Sequence, residues 1–258
     1  NEVNSILTLM IIFSLLLLGI TDDKISLKPA TKSLLSMIIF FIYLSFGTEY
    51  RIIDLRFETF NFVLDFFELS LVFTILCFMV LQIILNMYDG INLQSAAYYS
   101  VILIYLMVIN QKYNFLIFCI LTLIYLIYFS IKNYKNKIFL GDNGVYIFSF
   151  ILSLLIIKTY KGDASALLVE EIFVILFLPT IDMLRLFFTR LFKNKNPLKA
   201  DRRHLHHILL KKHGLIKANI LLISPLISST LLINITNINI NIVIVMNVIS
   251  YFYLLKSK

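Results

Sequence analysis

Charge is in short supply in this chain. Lys, Arg, Asp and Glu together make up 15% of its 258 residues, against about 25% in an ordinary soluble domain. With 60% hydrophobic residues and a mean hydropathy of +0.90, no soluble core of this size could hide so much apolar surface. Cysteine is scarcer still. Cys77 and Cys119 both sit inside apolar runs with no CxxC spacing, so they read as small buried hydrophobes rather than metal or redox ligands. There are no internal repeats, no heptads and no separate soluble domain. The first apolar run, Ser5 to Ile20, lacks a preceding basic stretch and a small-residue cleavage site, so we expect a membrane span there rather than a secretory signal peptide.

What is present is a succession of apolar runs approaching the roughly 20 residues that cross a bilayer as a helix. The expected fold is all-α: one polytopic transmembrane bundle over residues 1–258. About nine spans are expected, at Ser5–Ile20, Leu34–Phe46, Phe66–Leu85, Leu93–Ile109, Asn114–Ile131, Val145–Ile157, Ala166–Phe188, Ile216–Ile233 and Ile238–Leu255. Two of them are short for a full crossing. The mixed segment Gly47–Asp65 fits a hairpin or interfacial helix, and the Asn-rich link Asn234–Asn241 a plain turn.

Orientation follows from the basic residues. If the Asp22/Asp23 connection is cytoplasmic, that side collects 18 of the 23 Lys and Arg residues and the other side only Arg51, Arg56, Lys112, Lys158 and Lys161, as the positive-inside rule requires. The net charge of +8 therefore sets topology and gives no reason to expect nucleic acid as a partner. Cytoplasmic loops fall at about 21–33, 86–92, 132–144 and 185–215. The chain opens on Asn1 rather than Met, with an acidic, base-free tetrapeptide on the outer side. Both features lead us to expect upstream residues and spans beyond this sequence.

The polar residues that interrupt the apolar runs share that cytoplasmic face. Thr21-Asp22-Asp23-Lys24 closes the first span. Successive helical residues point about 100° apart, so one carboxylate can face a metal or phosphate while the other anchors a backbone or lysine; a solvated helix end is the plainer alternative. Asn86-Met87-Tyr88-Asp89-Gly90-Ile91-Asn92 ends the third span, where Asp89 and Asn92 share a face if helical and Gly90 permits a turn or a close approach. Leu140-Gly141-Asp142-Asn143-Gly144 opens the sixth span. An N-cap explains Asp142 but not the flanking glycines, which suit an anion at a helix N-terminus.

The one long polar stretch, Asp182 to Lys217, carries all four histidines (His204, His206, His207, His213). Histidines at i, i+2 and i+3 do not share a helical face as zinc ligands do at i, i+4. Beside Arg202 and Arg203 they suit phosphate oxygens better. A loop that only sets topology or binds anionic lipid would explain the lysines, though not the tight HxHH cluster.

In this order, DDK after a span, NMYDGIN, LGDNG, IDMLRLFFTR and DRRHLHHIL resemble the cytoplasmic motifs of the bacterial polyprenyl-phosphate N-acetylhexosamine-1-phosphate transferases, glycosyltransferase family 4. The ADRRHLHH form is similar to the branch that begins O-antigen, lipopolysaccharide, enterobacterial-antigen or teichoic-type polymers. The resemblance implies a plasma-membrane enzyme with a cytoplasmic active site. Polyprenyl phosphate attacks the β-phosphorus of a UDP-N-acetylhexosamine, UDP-GlcNAc foremost, with Mg²⁺ (Mn²⁺ as substitute), and UMP is released. It implies Asp22 and Asp23 near the lipid phosphate, Asp89 as the essential acid of its motif, and Asp142 with Asp89 at the metal. Asn86, Asn92, Arg202, Arg203, His204, His206 and His207 fall to substrate binding, the basic stretch lying over an acidic floor. Membrane lipids are further partners, and a homodimer is the assembly to test.

Two departures matter. Asn92 stands where the family usually has a second Asp, which we read as a difference in substrate specificity. The family's first spans and a basic loop have no counterpart here, implying a fragment or a shortened homologue. The competing readings are a catalytically impaired or lipid-binding homologue and a transporter. A transporter's acids should lie near mid-span, whereas these cluster at one face.

Overall fold

The computed structural model describes residues 2–57, 59, 61–161, 167–194, 203–235 and 238–256. Among them are nine α-helices and one two-stranded hairpin. Seven helices are long and apolar enough to cross a membrane, and two shorter apolar ones, Gln94–Ile109 and Ile240–Lys256, accompany them. The chain is a multi-pass, all-α membrane protein. It divides into two compact units, Asn1–Asn86 with Leu140–Asp163, and Met87–Phe139 with Ala164–Lys258.

The first unit holds α1 (Glu2–Ile25), α2 (Pro29–Phe46), most of α3 (Ser70–Tyr88) and α6 (Gly141–Tyr160). Pro29 opens α2, where its missing N–H costs nothing. Helices α1 and α6 touch closely: a Cβ on Gly19 would fall 2.4 Å from the Asn143 Cα. Only a glycine lets the backbones approach so far, as small residues do between membrane helices. Behind this contact Phe40, Tyr43, Phe78 and Phe150 form an aromatic core, with Tyr43 edge-on to Phe150 at 5.0 Å and Phe40 edge-on to Phe78 at 5.3 Å. One buried polar pair crosses it, Gln82 Nε2 donating to Ser36 Oγ at 2.9 Å. Between α2 and α3 the chain forms a hairpin, one of the two forms expected there, β1 (Asp54–Phe57) antiparallel to β2 (Phe62–Asp65), in the register Asp54 opposite Asp65. Tyr160 ties it to the end of α6, donating to the Asp54 carbonyl and accepting from the Arg56 N–H.

The second unit contains α4 (Gln94–Ile109), α5 (Tyr113–Tyr134), α7 (Val169–Leu191), α8 (Leu205–Ile235) and α9 (Ile240–Lys256). Pro179 lies inside α7, so the Ile175 carbonyl has no N–H partner one turn on. Tyr98 of α4 supplies one, its hydroxyl donating to that carbonyl at 2.6 Å. Helix α8 is broken at Gly214, whose φ of 76° and ψ of 172° are not helical.

The helices outrun the apolar spans read from sequence. Val145–Ile157 widens to Gly141–Tyr160 and Leu34–Phe46 to Pro29–Phe46, because the polar ends that hydropathy excludes still complete helical hydrogen bonds. The stretch expected as loop at about 185–215 is helical from Leu205.

Candidate functional site

Both units carry polar side chains at their helix ends. In the first unit the carboxylates of α1 and α6 converge on a lysine. Lys32 Nζ donates to Asp22 Oδ2 at 2.8 Å and to Asp142 Oδ2 at 2.6 Å. Helix α1 runs on through Asp23 to Ile25, so the paired aspartates stand on the helix and point apart, as adjacency requires. Asp22 is the anchor: it is 6% exposed, and its Oδ1 accepts the Leu27 N–H at 2.9 Å, turning the chain toward α2. Asp23 is exposed, and its carboxylate lies beside Gly141, 3.8 Å from where a Cβ would sit.

Asp142 does not cap α6. The helix starts at Gly141, its cap position is Leu140, and no side chain closes it. The Asp142 carboxylate instead accepts from Lys32 and, through Oδ1, from Asn86 Nδ2 at 2.7 Å. Gly141 has φ +63°, a left-handed turn that glycine adopts without strain. Asn143 Oδ1, beside Gly19, is buried with no hydrogen-bond partner among the described residues.

The Asp22 and Asp142 carboxylates offer hard oxygen donors. Mg²⁺ is usually held by one or two carboxylates, with substrate phosphate and water completing its shell, and Asp22 and Asp142, already balanced on one cation, match that donor set. Among the described residues no group of three or more His, Cys, Asp or Glu is placed to hold a metal.

In the second unit α3 ends at Tyr88, so Asp89 and Asn92 are not on a helical face. Asp89, half-buried, accepts from Ser95 Oγ at 2.6 Å. Asn92 belongs to an asparagine knot. Its Nδ2 donates to Asn136 Oδ1 at 2.6 Å, its carbonyl accepts from Asn219 Nδ2 at 3.0 Å, and Asn133 Oδ1 accepts the Leu93 N–H at 2.6 Å. Gly90 makes a close approach, but to protein: a Cβ there would be 1.9 Å from His206 Nε2. His206 is 2% exposed; its ring stacks parallel to His204 at 5.3 Å and lies 4.3 Å from His207. The NMYDGIN and HLHH motifs are thus packed together. Arg203 is exposed, its carbonyl accepting from Arg185; Arg202 lies outside the described residues.

Two residues given no role from sequence organise these clusters. In the sequence Lys32 contributes only to the topology bias, because its partners lie 10 and 110 residues away. In the sequence Asp182 is only one residue of the IDMLRLFFTR motif. Yet it is a carboxylate inside a span, 5% exposed, and the cost of such a residue in a membrane is itself a signal of function. His204 Nδ1 sits 2.9 Å from its Oδ2.

A family model described as Glycosyl transferase family 4 matches residues 5–160. The chain belongs to this family. The matched stretch contains Asp22, Asp23, Lys32, Asn86, Asp89, Asn92 and Asp142, whereas Asp182 and the histidines lie beyond it. Among curated proteins the chain is similar to the undecaprenyl-phosphate alpha-N-acetylglucosaminyl 1-phosphate transferase of Pasteurella multocida, 30% identical over 77 residues, which is 30% of this chain and 22% of that protein. The proteins of the same name from Salmonella typhi and Escherichia coli are 29% and 27% identical over 77 residues, 30% of this chain and 21% of each relative. The matched segment therefore spans about a fifth of each of these relatives.

Proposed function

We propose that this protein transfers N-acetylhexosamine-1-phosphate, GlcNAc-1-phosphate foremost, from a UDP-sugar to a polyprenyl phosphate such as undecaprenyl phosphate. UMP leaves, and a cell-surface glycan is begun on the cytoplasmic face of a bacterial plasma membrane. The observation that carries this reading is the Lys32 ammonium held between Asp22 and Asp142 where apolar helices end, inside the family's matched stretch. The names of the similar proteins supply the substrates.

The chemistry brings a phosphate monoester to a diphosphate. An oxygen of the lipid phosphate bonds to the β-phosphorus, the bond from that phosphorus to the bridging oxygen breaks, and UMP carries the bridging oxygen away. The monoester's second pKa is near 6, so at neutral pH it is largely dianionic and needs no strong base. The protein's task is positioning and charge compensation. Lys32 offers positive charge at the carboxylate pair, and Asp22 fixes that lysine and the turn to α2. Asp142, oriented by Asn86, and Asp22 are the residues that would hold Mg²⁺, or Mn²⁺ in its place; Asp89 is a further candidate. Bound there, the ion would neutralise diphosphate charge. Exposed Asp23 is assigned to the lipid-phosphate side, and Arg202, Arg203, His204 and His207 to the donor. His206 and Asn92 support these residues from within the packed motifs.

The test is UMP release by the full-length protein in membranes, given a panel of UDP-amino sugars. Release that requires undecaprenyl phosphate and Mg²⁺ is expected, strongest with UDP-GlcNAc. No UMP from any donor in the panel overturns the reading.

A further inference from the structure

One buried carboxylate has four polar partners around the histidine turn. Asp182 Oδ1 accepts from Arg185 Nη2 at 2.8 Å and from the Tyr251 hydroxyl at 3.0 Å. Oδ2 faces His204 Nδ1 at 2.9 Å and accepts the Leu205 N–H at 3.1 Å. The Leu205 bond caps the first turn of α8 with a side chain from α7, where the helix's own N–H groups lack partners. Arg185 ties the group further, donating through Nε to Tyr251 and through Nη2 to the Arg203 carbonyl. One aspartate thus joins α7, α9 and the start of the HLHH turn.

We propose that Asp182 is a positioning residue that locks His204 as its Nδ1–H form, leaving Nε2 as the one ring nitrogen free to meet a ligand. A carboxylate held against Arg185 is ionised and can only accept, so Nδ1 must donate. The tautomer follows, as it does for metal-bound histidines oriented by a carboxylate behind them. Parallel stacking on His206, itself wedged against Gly90, fixes the ring plane. The ligand class, a phosphate of the nucleotide-sugar donor, rests on the function proposed above; the orientation of His204 does not.

The geometry makes Asp182→Asn informative. An amide has one accepting end, while all four partners are donors, so one pair must lose its bond or His204 must switch to its Nε2–H form and accept from the new amide. Asp182→Glu keeps two accepting oxygens. The test is nitrogen NMR of the histidine-labelled full-length protein in detergent, about two pH units above the usual imidazole pKa of roughly 6.5. The His204 signal is identified by replacing His206, His207 and His213 with Gln one at a time.

In the wild type, His204 is expected with a protonated Nδ1 and a bare Nε2; the Nε2–H form in the wild type overturns the proposal without need of any Asp182 variant. For turnover, Asp182→Asn is expected to raise KM for the UDP-sugar about tenfold, with KM for the lipid phosphate unchanged and Asp182→Glu recovering most of the loss. Equal effects on both KM values, or no recovery by Glu, reduce Asp182 to a structural residue. If the wild type shows no transferase activity, the function proposed above fails, and the NMR result still decides the orientation of His204.

Discussion

At the scale of single residues, adjacency decides the roles of Asp22 and Asp23. Successive positions on a helix cannot face the same ligand. That division was legible in the sequence; which aspartate would be buried was not, because it depends on Lys32 and Tyr146, whose hydroxyl lies 3.5 Å from Asp22 Oδ2. Lys32→Met leaves two carboxylates opposed with no cation between them. We expect a loss of about 1–3 kcal/mol, between the limits for surface and fully buried pairs, measured by thermal unfolding in detergent. Adding Asp22→Asn to Lys32→Met should recover part of that loss; strict additivity of the two changes would show that the pair is not coupled.

Gly90 invites a second test. A methyl group there collides with His206, whose ring is packed between His204 and His207. Gly90→Ala is therefore expected to cost about 1–3 kcal/mol, as overpacking does elsewhere, and to perturb the histidine NMR signals. An unchanged spectrum and melting temperature would contradict the packing of these two motifs. The sequence showed that Gly90 permits a close approach, but the approaching group is a side chain more than a hundred residues on rather than a ligand.

Elements were legible where apolar runs were long, and misjudged where polar site residues sit inside a helix. Hydropathy places the start of α6 at Val145, yet Asp142 already lies in its first turn. It places His206 and His207 in a loop, yet a carboxylate on α7 caps their helix at Leu205, a contact no local pattern contains. Proline in α7 shows the same dependence on a distant partner. Tyr98→Phe should cost about 1–3 kcal/mol by leaving the Ile175 carbonyl unsatisfied in a buried place. Pro179→Ala restores an N–H to that carbonyl, and in that background the Tyr98→Phe penalty should shrink. A penalty unaffected by residue 179 would remove the tyrosine from this role. At Gly214 a Cβ would meet nothing within 4 Å, so Gly214→Ala isolates backbone strain. About 1–3 kcal/mol is expected from the positive-φ, extended conformation alone, read from the melting temperature.

For the whole molecule, composition alone gave the class, a multi-pass helical membrane protein, because 15% charge and long apolar runs admit little else. The ordered motifs gave the family, which the match over residues 5–160 bears out. What the sequence did not reveal is the pair of organising residues. Lys32 and Asp182 look like one basic and one acidic residue among others until the fold supplies their partners. The asparagine knot around Asn92 was also hidden, and it gives that position a structural task alongside the specificity first assigned to it.

The central claim is that the Asp142 carboxylate, oriented by Asn86 and paired with Lys32, serves Mg²⁺-dependent sugar-phosphate transfer. The most direct measurement is the rate of UMP release from UDP-GlcNAc and undecaprenyl phosphate by membranes containing equal amounts of wild-type and Asp142→Asn protein, across a Mg²⁺ titration. A fall of about 100-fold or more, the scale of losing one transition-state contact, is predicted, together with loss of the Mg²⁺ dependence in any residual rate. An Asp142→Asn protein that keeps wild-type turnover and the same Mg²⁺ dependence would contradict the account.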